Sequence, residues 1–218
     1  MSRLPISCLG SHFRVSNDSW FSASDEFVTF FIGKKGEEKK FLVHKSFVCH
    51  YSPVLRAAFN STMIEGQTQT YRFEDTTEEV FSFLVEWLYA QKIVLPPSNE
   101  YSSISLVKLW VLAEKLLMPG LQNCAIDLLH QRRIDTGRIA TKTIQWVYDN
   151  TMFGCPLRKM FLDQCANKLI DTYVLDYPEE FPKDMLIELV VVLRGIVTDA
   201  KVAKVLDPAN YYVKEEDN

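Results

Sequence analysis

The sequence predicts an α+β fold: a small sheet flanked by helices, followed by an all-helical C-terminal extension. Three observations carry this. The stretches that alternate as strands do fall early, at 26–32, 41–43 and 71–73, with 93–95 as a short closing strand. From Asp135 onward apolar residues recur only at helical spacing. Hydrophobic residues make up 47% of the 218, enough to bury a substantial core under both parts.

Residues 1–24 are polar and irregular and read as a flexible arm, with Phe13, Trp20 and Phe21 available to pack down. In the first strand Val28, Phe30 and Ile32 alternate. Phe27 and Phe31 make the opposite face apolar as well, so burial on both sides is expected. A hairpin loop follows at 33–40, where lysines and glutamates offset one another as a solvated run, and 41–43 pairs back. His44-Lys45 leads into an apolar turn of helix.

Ser52-Pro53 then starts a second helix, because serine can cap the open amides and proline at the first helical position loses no needed hydrogen bond. Val54, Leu55, Ala58 and Phe59 form its buried face. A polar loop is expected at 60–70. Thr76 and Glu79 have the spacing of a capping box ahead of Val80, Phe81, Leu84, Val85 and Leu88. After the breaker Pro96-Pro97-Ser98-Asn99, a helix is expected at 105–117. A second follows Pro119-Gly120, with Leu121, Ala125 and Leu128 on its face.

The extension reads as helices at 141–150, 156–171, 182–194 and 198–206, with Pro156 and Pro182 as starts and Gly195 as a stop. Leu157, Phe161, Cys165 and Leu169 share one face. The expected organisation is an arm over 1–24, a sheet-containing domain over 25–131, a helical extension over 132–208 and a disordered tail over 209–218.

Composition and motifs exclude most chemistry. There is no glycine-rich phosphate loop, no GxSxG and no CxxC. Cys49 and His50 are neighbours, but adjacent helical residues diverge by about 100°, so the pair is not a chelate. No catalytic, cofactor-binding or metal-ligating residue is expected, and the chain is not read as an enzyme. His44 reads as structural, its ring bonded to nearby backbone, and Cys49 as a small buried hydrophobe. A net charge of -4 and a pI near 5.6 argue against a nucleic-acid partner. No apolar run approaches the roughly 18–20 residues of a membrane helix, and the N-terminus lacks a signal-peptide pattern. The odd, scattered cysteines point to a reducing, intracellular setting, cytoplasm or nucleus.

One ordered set of residues is more specific. Phe41, His44-Lys45, Ser52-Pro53, Ala57-Ala58-Phe59, Glu65-Gly66, the Tyr71/Phe73 strand, Val80-Phe81 and Trp87-Leu88-Tyr89, with 109–129 as a closing helix pair, resemble the BTB/POZ domain. With 28–33 before and Leu157-Arg158 after, the wording is most similar to the short BTB proteins of fungi. The resemblance implies a protein–protein interaction module, a substrate adaptor for a cullin-RING ubiquitin ligase. The alternative is an oligomerising scaffold or transcriptional co-regulator without direct DNA contact.

BTB domains that recruit a cullin have a hydrophobic residue, any residue, then glutamate in the loop occupied here by Met63-Ile64-Glu65. On that resemblance, Met63 would fill an apolar pocket and Glu65 would fix register at its rim. On the competing reading, Glu65-Gly66 only turns the loop, with Gly66 supplying permissive backbone angles. Phe59 and Tyr89 are further candidates for partner contact. A homodimer is compatible with the family, although no amphipathic helix precedes the first strand to be swapped between copies.

Overall fold

The computed structural model describes residues 26–95, 102–168 and 171–199. The expected arm, the proline connector, Leu169 and the charged tail lie outside the described residues. Within them, β1 (Phe27–Ile32), β2 (Lys39–His44) and β3 (Thr70–Phe73) form a sheet in the order β2-β1-β3. β1 pairs antiparallel with β2, setting Val28 opposite Val43. It pairs parallel with β3, setting Phe30 opposite Tyr71.

The buried face of β1 is the expected one, Val28, Phe30 and Ile32. Its other face is not buried: Phe27 is exposed and Phe31 half-buried. Among the described residues no second layer covers that side. Phe31 is instead sheltered by the Arg72 guanidinium, 4.3 Å from its ring centre, and Phe27 leans on the His44 ring at 4.3 Å. In the hairpin, Gly33 and Gly36 take φ of 101° and 99°, which only glycine adopts without strain. The Glu38 carboxylate accepts the Gly36 amide at 2.7 Å. That bond, then its own amide and Arg72, hold its pKa below the usual carboxylate range.

Helices α1 (Lys45–Tyr51) and α2 (Pro53–Phe59) meet at Ser52. The buried Ser52 hydroxyl accepts the Leu55 amide at 3.1 Å, capping α2, and donates to the Leu116 carbonyl at 2.8 Å. The polar stretch expected to be loop contains a short helix, α3 (Ile64–Thr68). Next, α4 (Glu78–Ala90) is capped by Thr77, whose hydroxyl accepts from the Val80 amide, not by Thr76. Glu79 does not complete a capping box. Its carboxylate accepts the Ser105 hydroxyl and so joins α4 to α5 (Ser103–Lys115).

The expected strand at 93–95 does not form: Ile93 is buried as a plug, and the Val94 amide is taken by the Glu86 carboxylate at 2.9 Å. Past the turn at Leu117 comes α6 (Pro119–Thr136), which packs along α5. The aromatic centre of the domain is Phe30, whose ring lies 5.0 Å from Phe81 and 5.7 Å from Phe59.

The extension follows as α7 (Ile144–Asn150), preceded by a 3-10 turn at Thr141–Thr143, then α8 (Pro156–Lys168), α9 (Asp171–Asp176) and α10 (Lys183–Asp199). Ile144, Val147, Leu157, Phe161, Cys165 and Met185 continue the hydrophobic core of the sheet domain. Gly195 does not end a helix. It has no left-handed φ, and α10 runs through it to Asp199. Between α7, α8 and α10 lies a buried polar cluster. The Arg158 guanidinium donates to the carbonyls of Tyr148 (2.8 Å) and Thr151 and to the Thr151 hydroxyl (3.0 Å). It lies 4.2 Å from the Tyr148 ring centre and 3.6 Å from the Glu188 carboxylate. Tyr148 donates its hydroxyl to the same carboxylate at 3.0 Å.

Candidate functional site

The segment from the end of α2 to β3 holds itself together with its own polar side chains. The Ser61 hydroxyl donates to the Ala58 carbonyl at 2.7 Å and accepts the Met63 amide at 3.1 Å, turning the chain out of α2. Gln67 reaches back to the Thr62 carbonyl at 2.7 Å, and Thr68 closes on the Ile64 carbonyl at 2.7 Å. Gln69, at φ 51°, ends α3 in the left-handed region. Its side-chain amide donates to the carbonyls of Phe59 (3.0 Å) and Gly66, and its own carbonyl accepts the Thr29 amide at 2.9 Å. These bonds fasten α3 to both α2 and β1.

Gly66 is required here for a reason other than backbone angle. It sits inside α3 without a left-handed φ, but a Cβ built on it would stand 1.9 Å from the Ser61 carbonyl oxygen. The residue permits close approach of two backbones.

On this platform Met63 and Ile64 are exposed by 66% and 68% of their surface. Glu65 follows in the first turn of α3 and is half-buried. The sequence pointed to Met63 and Glu65 but left Ile64 as a bystander; an apolar residue in an otherwise polar stretch was the available signal. Phe59 does not reach the surface. Its ring packs edge-on against Phe30 and its carbonyl holds Gln69, so it supports α3 from beneath.

Tyr89 belongs to a different cluster. It is 42% exposed at the end of α4, and its hydroxyl accepts the His44 backbone N–H at 3.1 Å. The same hydroxyl pairs with His44 Nδ1 at 2.8 Å. The His44 ring is thus bonded to a tyrosine side chain and not to backbone, and Phe47 closes the group 4.8 Å from the Tyr89 ring. Cys49 is half-buried, with its thiol pKa pushed up by burial, so thiolate chemistry is disfavoured there. Of the aromatic residues elsewhere, Trp110 is buried in the core.

Among the described residues no group of three His, Cys, Asp or Glu side chains is placed to hold a metal ion. No described helix is long and apolar enough to cross a membrane. An exposed apolar pair beside a glutamate, held on a rigid loop at the rim of a packed α+β domain, has the character of a docking surface. The fold is of the kind that serves as a protein–protein interaction module. The BTB/POZ domain family model matches residues 22–133, a little over half of the chain. The chain belongs to the BTB/POZ family. A comparison with curated proteins finds no match.

Proposed function

We propose that the chain is an adaptor that engages a cullin scaffold of a ubiquitin ligase through Met63, Ile64 and Glu65. The observation that supports this is the presentation of Met63 and Ile64 together, exposed, on a loop whose conformation is set by Ser61, Gly66, Gln67 and Gln69. A pre-set loop loses little freedom on binding, so apolar contact there converts more fully into affinity. Two adjacent apolar side chains suit a pocket, and Glu65 at their base suits a hydrogen-bonded rim.

The test is size-exclusion chromatography with light scattering, on the chain mixed with the N-terminal domain of the BTB-binding cullin. A co-eluting complex is expected. Met63→Ala with Glu65→Ala is expected to abolish it while leaving thermal melting unchanged. No complex with the wild-type chain, or equal affinity in the double variant, would remove this assignment. The second reading, an oligomerising scaffold, draws on the exposure of Ile187 and Val191 in α10.

A further inference from the structure

The outer face of the sheet is made by every second residue of its strands. The register sets Phe27 beside His44, Thr29 between Leu42 and Thr70, and Phe31 between Lys40 and Arg72. The two ends of this face differ. Where β1 finishes, the Arg72 guanidinium lies over Phe31 and is itself held by the Glu38 carboxylate. Where β1 begins, Phe27 and Leu42 are 46% and 60% exposed. They are diagonal neighbours across the strand pair, about 7–8 Å apart and close enough for one large side chain to lie on both.

The chain enters the sheet at this open end. The described residues begin with Glu26, whose carbonyl accepts the Lys45 amide at 2.9 Å, so the entry is fastened beside β2. Just upstream stand Trp20 and Phe21, two aromatic residues in a run over 18–25 that is otherwise small and polar. Residues 22–25 (Ser, Ala, Ser, Asp) are of the kinds that turn a chain. Trp20 is seven residues from Phe27, a reach of up to about 23 Å, well beyond what the seat requires. We propose that residues 18–25 form a strap that folds back over the start of β1 and seats Trp20 on Phe27 and Leu42. The occupant is this chain's own segment because the tether is short. It holds Trp20 near the face at an effective concentration of about a millimolar, which few free partners match. Tryptophan suits the seat, since it covers a large apolar area with few rotatable bonds. The strap gives this end of the face the cover that Arg72 gives the other. The seat shares no residue with Met63, Ile64 or Glu65, so this inference is independent of cullin binding.

Acrylamide quenching of tryptophan emission on the full chain tests it. The chain has four tryptophans, and the difference between the wild type and Trp20→Ala isolates the signal of Trp20. Trp20 is expected to be quenched severalfold more slowly than free tryptophan. Leu42→Thr removes half of the seat but keeps a β-branched residue suited to a strand, and is expected to bring Trp20 most of the way to the free value. Ile187→Thr, an exposed substitution on α10, is expected to leave Trp20 shielded. In urea unfolding, Trp20→Ala and Leu42→Ala are expected to be coupled, their joint loss of folding constant falling short of the product of the single losses by at least about twofold. Circular dichroism checks that each variant folds. A wild-type Trp20 as accessible as free tryptophan overturns the proposal and leaves the open end to another protein. A shielded Trp20 indifferent to Leu42→Thr, with no coupling in urea, overturns it in favour of a different seat. The Trp20→Ala chain has a vacant seat, and adding it to the Leu42→Thr chain is expected to change nothing. Shielding restored by that mixture overturns the strap in favour of exchange between two copies.

Discussion

A Cβ on Gly66 would stand 1.9 Å from the carbonyl oxygen of Ser61, a separation that the two backbones cannot keep. The Met63–Glu65 loop therefore depends on an absent side chain. Gly66→Ala is expected to force Ser61 and α3 apart, cost about 2 kcal/mol by overpacking, and break the bonds that Ser61 and Gln69 make. Urea unfolding measures the loss, and hydrogen exchange at 61–69 localises it. An alanine variant as stable and as protected as the wild type would show that the approach is not needed.

The Ser52 hydroxyl caps α2 and also satisfies the Leu116 carbonyl at the end of α5. Ser52→Ala removes a cap and leaves a buried carbonyl without that donor. The expected cost is about 2 kcal/mol in urea unfolding. A loss below about 0.5 kcal/mol, the range of an indifferent surface change, would mean that the joint between the helices is not held by this residue.

In the extension, Arg158→Met strands the nearly buried Glu188 carboxylate and withdraws the guanidinium from the carbonyls of Tyr148 and Thr151. A loss of about 3 kcal/mol is expected. Glu188→Leu added to Arg158→Met removes the stranded charge and is expected to regain part of that loss. A double-mutant cycle in denaturant decides it, and additive losses would show that the two charges are not coupled.

Burial pushes the Cys165 thiol up to about 12 from an ordinary value of 9.0. Above pH 9 the unfolded chain releases this proton while the folded chain retains it. Stability is therefore unaffected by Cys165 below pH 9, and falls as pH rises from 9 toward 12, by at most about 1.4 kcal/mol per pH unit. Tyr148, also pushed up by desolvation, and then by its bond to Glu188, adds a fall of the same sign above pH 10. Stability measured against pH should show a shallower alkaline slope for Cys165→Ala than for the wild type. Identical slopes would place the thiol in contact with water.

What the sequence could show depended on periodicity. Val28, Phe30 and Ile32 announce a buried strand face, and Ser52-Pro53 a helix start, because both signals are local. Phe27 and Phe31 misled: whether a second layer covers a strand is decided by distant parts of the chain. The helix α3 was missed because Ile64-Glu65-Gly66-Gln67-Thr68 has no apolar period, being held instead by side-chain bonds to its own backbone. Thr76 and Thr77 are chemically equivalent as caps, and only geometry chooses between them. Met63 and Glu65 were found through a family pattern, whereas the need for Gly66 was visible only once Ser61 lay against it.

The Arg158 cluster has a consequence for α10. Glu188 works as a key in a slot: it accepts from Tyr148 and faces Arg158, while Ile187 and Val191 are left exposed. Rolling the helix to tuck its greasy side inward would drag that carboxylate out of its slot and abandon a buried cation. The helix is thereby denied the easiest way of hiding what it shows, and Ile187 and Val191 stay at the surface for as long as the Arg158 cluster holds.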